Sequence, residues 1–246
     1  MQLYVIAMLV LVVGETVLDT LHKKSARYFF ENAEKSKAHR ERELSGGEKV
    51  SVALKTAAHD VLASGEFCNS RRRIAHLLTM YGFIIFIIAT VILVFGYPAA
   101  IGTTPAWVPL LWHLGALMVA IGGYWFWFSI RVDVAAEGYP WYRMVRADLF
   151  IVSLLATATF ALIWSFFQWV GAGALAVLFF WLFVIASTVL FGSVLWSKFA
   201  HMFFKPAAAY QRRVSEADGS RDNLPPPADQ PEKFGLGIKR ELPRHY

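Results

Sequence analysis

The chain has 246 residues, of which 57% are hydrophobic, 15% aromatic and 17% charged, a balance too apolar for a soluble domain of this length. It carries 24 Lys and Arg against 18 Asp and Glu, a formal net charge of +6. That excess follows from where the basic residues sit along the chain and calls for no nucleic acid. The single cysteine, Cys68, excludes an internal disulfide and any CxxC metal site, and it reads as structural.

A helix needs about 20 apolar residues to cross roughly 30 Å of hydrocarbon. The first stretch of that length is residues 2–21, with no basic residue before it and no small-residue cleavage site after it, so it reads as a retained span. Residues 22–73 are polar and form a loop. Within its segment 47–65, Val50, Ala53, Leu54, Ala57 and Val61 fall on one helical face, with Lys49, Lys55 and Asp60 off its centre. This predicts a surface helix lying either on the membrane or on a partner.

Four further spans follow at 74–97, 107–130, 149–170 and 174–200. These runs are about twice the length of a barrel strand and do not alternate, so a bundle and not a barrel is predicted. Of the 24 basic residues, twelve lie in 22–73, three in 131–146 and nine from Lys198 onward, which leaves none in 98–106 or 171–173. The positive-inside rule then places the N-terminus outside, and the long loop and C-terminus in the cytoplasm. Trp107, Trp112 and Trp169 read as outer interface anchors, and Trp141 and Trp196 as inner ones. The fold class is an all-α integral membrane protein, a five-helix transmembrane bundle. Its parts are a first span (1–21), a cytoplasmic loop (22–73), a four-helix bundle (74–201) and a cytoplasmic tail (202–246).

From Ala207 the tail is polar and Pro-rich through Leu224-Pro225-Pro226-Pro227, then places Phe234, Leu236, Ile238 and Leu242 among Lys233, Lys239, Arg240 and Arg244. It reads either as a tethered docking peptide or as a solvated tail.

The histidines carry the sharpest chemical signal. His76 starts the second span after Arg71-Arg72-Arg73, and His201 closes the fifth after Lys198. The second and fifth spans run antiparallel, so the two imidazoles fall at similar depth on the cytoplasmic side. A b-type haem needs two such ligands, with Arg71, Arg72, Arg73 and Lys198 as partners for its propionates. The alternative is that both histidines cap helices or reach toward headgroups. His113, near the outer end of the third span, is placed either to bond a quinone carbonyl or to bond a neighbouring helix. Glu15 and Asp19, one turn apart on the first span, form either a proton route or a hydrated pair near the cytoplasmic rim, and Asp19 reads as hydrated. His22, His39, His59 and His245 show no ligand spacing and read as solvated.

The stretch Ser70-Arg71-Arg72-Arg73-Ile74-Ala75-His76-Leu77 with Tyr81-Gly82-Phe83, together with Leu111-Trp112-His113-Leu114-Gly115-Ala116-Leu117 and Ser197-Lys198-Phe199-Ala200-His201, resembles the cytochrome b subunits of the respiratory nitrate reductase gamma type. The nearest resemblance is to the membrane domain of quinone-interacting oxidoreductase complexes and to the membrane anchors of adenylylsulfate reductase in sulfur-oxidising bacteria. It implies a bacterial inner-membrane subunit that docks the soluble alpha and beta subunits of that enzyme, which carry flavin and iron–sulfur groups, and passes electrons toward quinone. The family pattern carries two haems. The deeper histidines of the second site are missing from 77–97 and 174–200, so a single haem held by His76 and His201 is the expectation.

No nucleophile with a paired base, phosphate loop or dinucleotide fingerprint occurs in the chain. The resulting expectation is a non-catalytic membrane subunit of an oxidoreductase complex, either electron-transferring or a scaffold without cofactor.

Overall fold

The computed structural model describes residues 1–22, 25–67, 69–98, 104–133, 138–197 and 201–220. Among the described residues all regular structure is helical: α1 Gln2–His22, α2 Ser25–Ala38, α3 Gly46–Lys55, α4 Ser70–Val91, α5 Trp107–Trp125, α6 Leu149–Trp169, α7 Gly173–Phe191 and α8 His201–Asp218. Wider π-helical turns extend α3 through Thr56–Leu62, α4 through Ile92–Gly96 and α5 through Phe126–Ile130. Five helices are long and apolar enough to cross a membrane: Gln2–His22, Ser70–Gly96, Trp107–Ile130, Arg146–Trp169 and Gly173–Phe191. The chain divides into two compact units, one of Met1–Asp19 with Asn69–Ala200 and one of Thr20–Cys68 with His201–Tyr246.

In the first unit α4 and α5 run antiparallel at backbone contact. A Cβ on Gly115 would stand 2.6 Å from the Phe86 nitrogen, one on Gly82 would stand 2.8 Å from the Val119 nitrogen, and one on Gly122 would stand 2.7 Å from the Ala75 oxygen. Apolar side chains gain little by leaving lipid for a helix interface, so small residues that let backbones meet are what hold such a pair. Around this seam Phe86, Trp112, Trp164 and Phe183 form an aromatic cluster, with Phe86–Trp112 and Trp164–Phe183 ring centroids 5.1 and 5.8 Å apart. Trp112 is therefore not an interface anchor: it is buried, and its indole N–H donates to Thr90 Oγ1 at 3.0 Å. Trp107, Trp141, Trp169 and Trp196 are exposed, as belt residues should be. The first helix joins by polar contacts, Gln2 to the Val94 carbonyl at 3.2 Å and the Tyr4 hydroxyl to Thr188 Oγ1 at 3.0 Å.

Two helix limits differ from expectation. α4 begins four residues early, because the Asn69 side chain caps it by accepting from the Arg71 and Arg72 N–H groups at 3.0 and 3.4 Å. This places Arg71–Arg73 on the first turn of the helix and not ahead of it. α7 ends at Phe191, nine residues short of the expected 200. There the Gly192 N–H closes on the Thr188 carbonyl, and the Ser193 carbonyl accepts from Trp196 and Ser197 in a separate turn. Val194, Leu195 and Trp196 keep the hydropathy high across this break, which conceals it from a reading by apolar length.

In the second unit α8 packs against α2, α3 and the π-helical extension of α3. The segment from Ala207 to Asp218 is thus helical and not part of a loose tail; its Ala, Arg and Glu favour helix, and Pro206 is accommodated inside α8. Ser45 caps α3 in a capping box with Glu48. The Arg213 guanidinium pairs with Asp60 across the unit, with Nη2 2.8 Å from Oδ1, and Lys205 pairs with Glu66. Gly65 leaves room for the His59 ring, which a Cβ would overlap at 2.1 Å. Arg213 holds the Asp60 carboxyl down at about 2, and the Ser45 N–H and Arg42 hold that of Glu48 down at about 2. A depressed folded-state pKa gives stability that is complete above the ordinary aspartate value of 3.8 and is lost as pH falls toward about 2. Acid melting of the second unit should therefore begin below that value, and Asp60→Asn should flatten the slope when helicity is followed against pH.

Candidate functional site

His76 stands on α4 and is half-buried. It lies two turns, about 10 Å, from Phe83 on the same helical face, and the Phe83 ring meets Phe191, the last residue of α7, at 6.4 Å. Helix α7 therefore stops two turns short of the depth of His76. His201 does not close that helix: it opens α8 and belongs to the second unit. Lys198 and the His201 side chain lie outside the described residues. His76 thus stands on a bundle helix and the His201 backbone at the start of α8, in separate compact units. Arg71 is exposed, while Arg72 and Arg73 are half-buried.

Glu15 serves the break after α7, accepting from the Leu195 N–H at 3.3 Å. A helix that unwinds inside a bundle leaves backbone groups needing partners, and this carboxylate meets one. Asp19, expected to be hydrated, is buried at 2% exposure.

His113 is tied on both sides. Its Nδ1 lies 2.6 Å from the Pro109 carbonyl and its Nε2 2.6 Å from Ser165 Oγ. A carbonyl only accepts, so Nδ1 carries a proton and donates to it, while Nε2 is hydrogen-bonded to the Ser165 hydroxyl, and the ring links α5 to α6. Both nitrogens are engaged, which matches the helix-bonding alternative and leaves no free ring nitrogen for a quinone carbonyl. The docking residues Phe234, Leu236, Ile238, Lys239 and Arg240 lie outside the described residues, as does Cys68.

Sequence reading misses one buried side chain, Arg131, whose guanidinium is bonded to Asp148, Tyr139, Pro140 and Arg143. Arg131, at the end of the third span, is fully buried and pairs with Asp148 at 2.5 Å. Its guanidinium also donates to the carbonyls of Pro140 at 3.0 Å and Arg143 at 2.5 Å, and lies 4.2 Å from the centroid of Trp127. Asp148 Oδ2 accepts in turn from the Val145 N–H at 2.9 Å. One buried ion pair thus shapes the 138–148 turn and presents Trp141, Tyr142 and Met144 outward, each more than half exposed. Charge counting treats Arg131 only as a topology marker. A basic residue ending one span and an acidic residue beginning the next was the available signal.

The helices define the class of a multi-pass membrane protein. No family model, curated protein or solved structure matches the chain.

Proposed function

We propose that this chain is a membrane anchor, with no catalytic centre of its own, that holds a soluble oxidoreductase at the cytoplasmic face of a bacterial inner membrane. The partner the resemblance implies is adenylylsulfate reductase, through its alpha and beta subunits. The observation that carries the reading is the second compact unit, assembled from segments that precede and follow the four bundle helices in sequence and tied by Arg213–Asp60 and Lys205–Glu66. The connections 98–106 and 171–173 are too short to supply the roughly 1,000 Å² that a specific interface needs. Docking therefore falls to this unit and to the tail residues Phe234, Leu236, Ile238, Lys239 and Arg240.

The scaffold form, without cofactor, has better support than electron transfer to quinone through a b-type haem. The engaged nitrogens of His113, which leave no ring nitrogen free for a quinone carbonyl, speak for it. Both levels are read from one preparation. The tagged chain, purified from its host membranes, should bring the soluble subunits with it, and truncation after Asn223 should lower their recovery, more so at high salt. Its spectrum should show no reducible b-type band. A band lost in His76→Ala and in His201→Ala but kept in His113→Ala would restore the electron-transfer reading, and equal recovery of the partner from full and truncated chains would remove the tail from docking.

A further inference from the structure

The expected surface helix exists, and the structure decides which of its faces is free. α3 and its π-helical extension turn Thr56 inward, buried at 3% exposure, and fix Asp60 to Arg213 on α8. The apolar stripe points the other way: Val50 is 59% and Leu54 66% exposed, and Ala53 and Ala57 are exposed beside them. The acidic residues of the segment, Glu48 and Asp60, are each paired with an arginine. Lys49 and Lys55 are exposed on the flanks of the stripe and form no ion pair among the described residues, so the charge left over on this face is positive.

We infer that this stripe is a binding surface for the anionic bilayer itself, with Val50, Leu54, Ala57 and Val61 entering between the headgroups and Lys49 and Lys55 engaging lipid phosphates. Three observations favour lipid over a protein. The stripe is built of small aliphatic residues and lacks the Trp, Tyr and Arg that anchor protein interfaces. Its flanking lysines have the stem and charge that reach headgroups while the stripe is buried. Only residues 63–69 separate the extension of α3 from α4 in sequence, so the stripe is tethered by a short linker to a helix apolar enough to cross a membrane, and even a weak apolar face so tethered meets a high local lipid concentration. This inference is independent of the soluble partner.

The test uses the full chain in nanodiscs, with Cys68→Ser and a single Ala57→Cys carrying an environment-sensitive fluorophore. In discs containing phosphatidylglycerol the probe should shift to the blue and be quenched by acyl-brominated lipid, while the same label at Glu43 stays in water. Lys49→Gln and Lys55→Gln should each weaken the docked state about fivefold. They leave the stripe and the α8 face intact, so they read binding and not folding; Leu54→Glu, with unchanged helicity, should abolish quenching. A blue shift without bromolipid quenching would mean that protein, the chain's own tail or a second copy, covers the stripe, and would overturn the inference. So would a probe that remains in water in anionic discs.

Discussion

Arg131→Met should destabilise the first unit by about 3–5 kcal/mol, because it strands the Asp148 carboxylate in a buried site. The loss extends beyond one ion pair. The same guanidinium satisfies the Pro140 and Arg143 carbonyls, and Asp148 holds the Val145 N–H, so the 138–148 turn loses its template. Unfolding in mixed micelles, followed by helicity, gives the magnitude. The double variant Arg131→Met with Asp148→Asn should recover part of the loss by removing the stranded charge. Arg143→Ala, an exposed neighbour whose guanidinium lies 5.2 Å from the Tyr139 ring centroid, should cost well under about 1 kcal/mol. Equal losses for Arg131→Met and Arg143→Ala would mean that the buried network does not organise the turn.

Gly115→Val should separate α4 from α5, with a cost at or above the top of the about 1–3 kcal/mol expected for overpacking. Its first branch atom would meet the Phe86 nitrogen at 2.6 Å and the Gly82 carbonyl at 2.8 Å. Both are backbone, so no rotamer change relieves the clash. Separation also breaks the Trp112–Thr90 bond and opens the aromatic cluster. Gly14→Ala is the matched control: nothing lies within 4 Å of its added carbon, and helix propensity should make it neutral or stabilising by up to about 1 kcal/mol. Disulfide trapping between α4 and α5, in a Cys68→Ser background, distinguishes separation from local strain. Unchanged trapping yield in Gly115→Val would refute the close seam.

Apolar length alone found all five long helices, because a bilayer span needs a continuous run and such a run is visible residue by residue. The same reading set their order and bounded α1, α5 and α6 to within a residue or two once the π-helical end of α5 is included. It also picked out α3 by its stripe, since Val50, Ala53, Leu54 and Ala57 repeat with helical period. Packing partners leave no such mark. Whether Trp112 faces lipid or the bundle depends on Thr90, 22 residues away, and His113 became a link between helices only when Ser165 arrived 2.6 Å from its ring.

The break after Phe191 and the helix from His201 to Asp218 were hidden for opposite reasons. Val194, Leu195 and Trp196 are apolar in a stretch that is not helical, while α8 is polar in a stretch that is helical because α2 and α3 pack on it. His201 thereby opens α8 in the second unit and does not close the fifth span. Hydrophobic length is local and additive along the chain, so the all-helical class and the five long apolar helices are legible without the structure. Where α7 stops, the burial of Arg131 against Asp148 and the free face of α3 are set by the folded chain. Each of those depends on whether a polar or apolar group finds a partner brought to it from elsewhere in the chain.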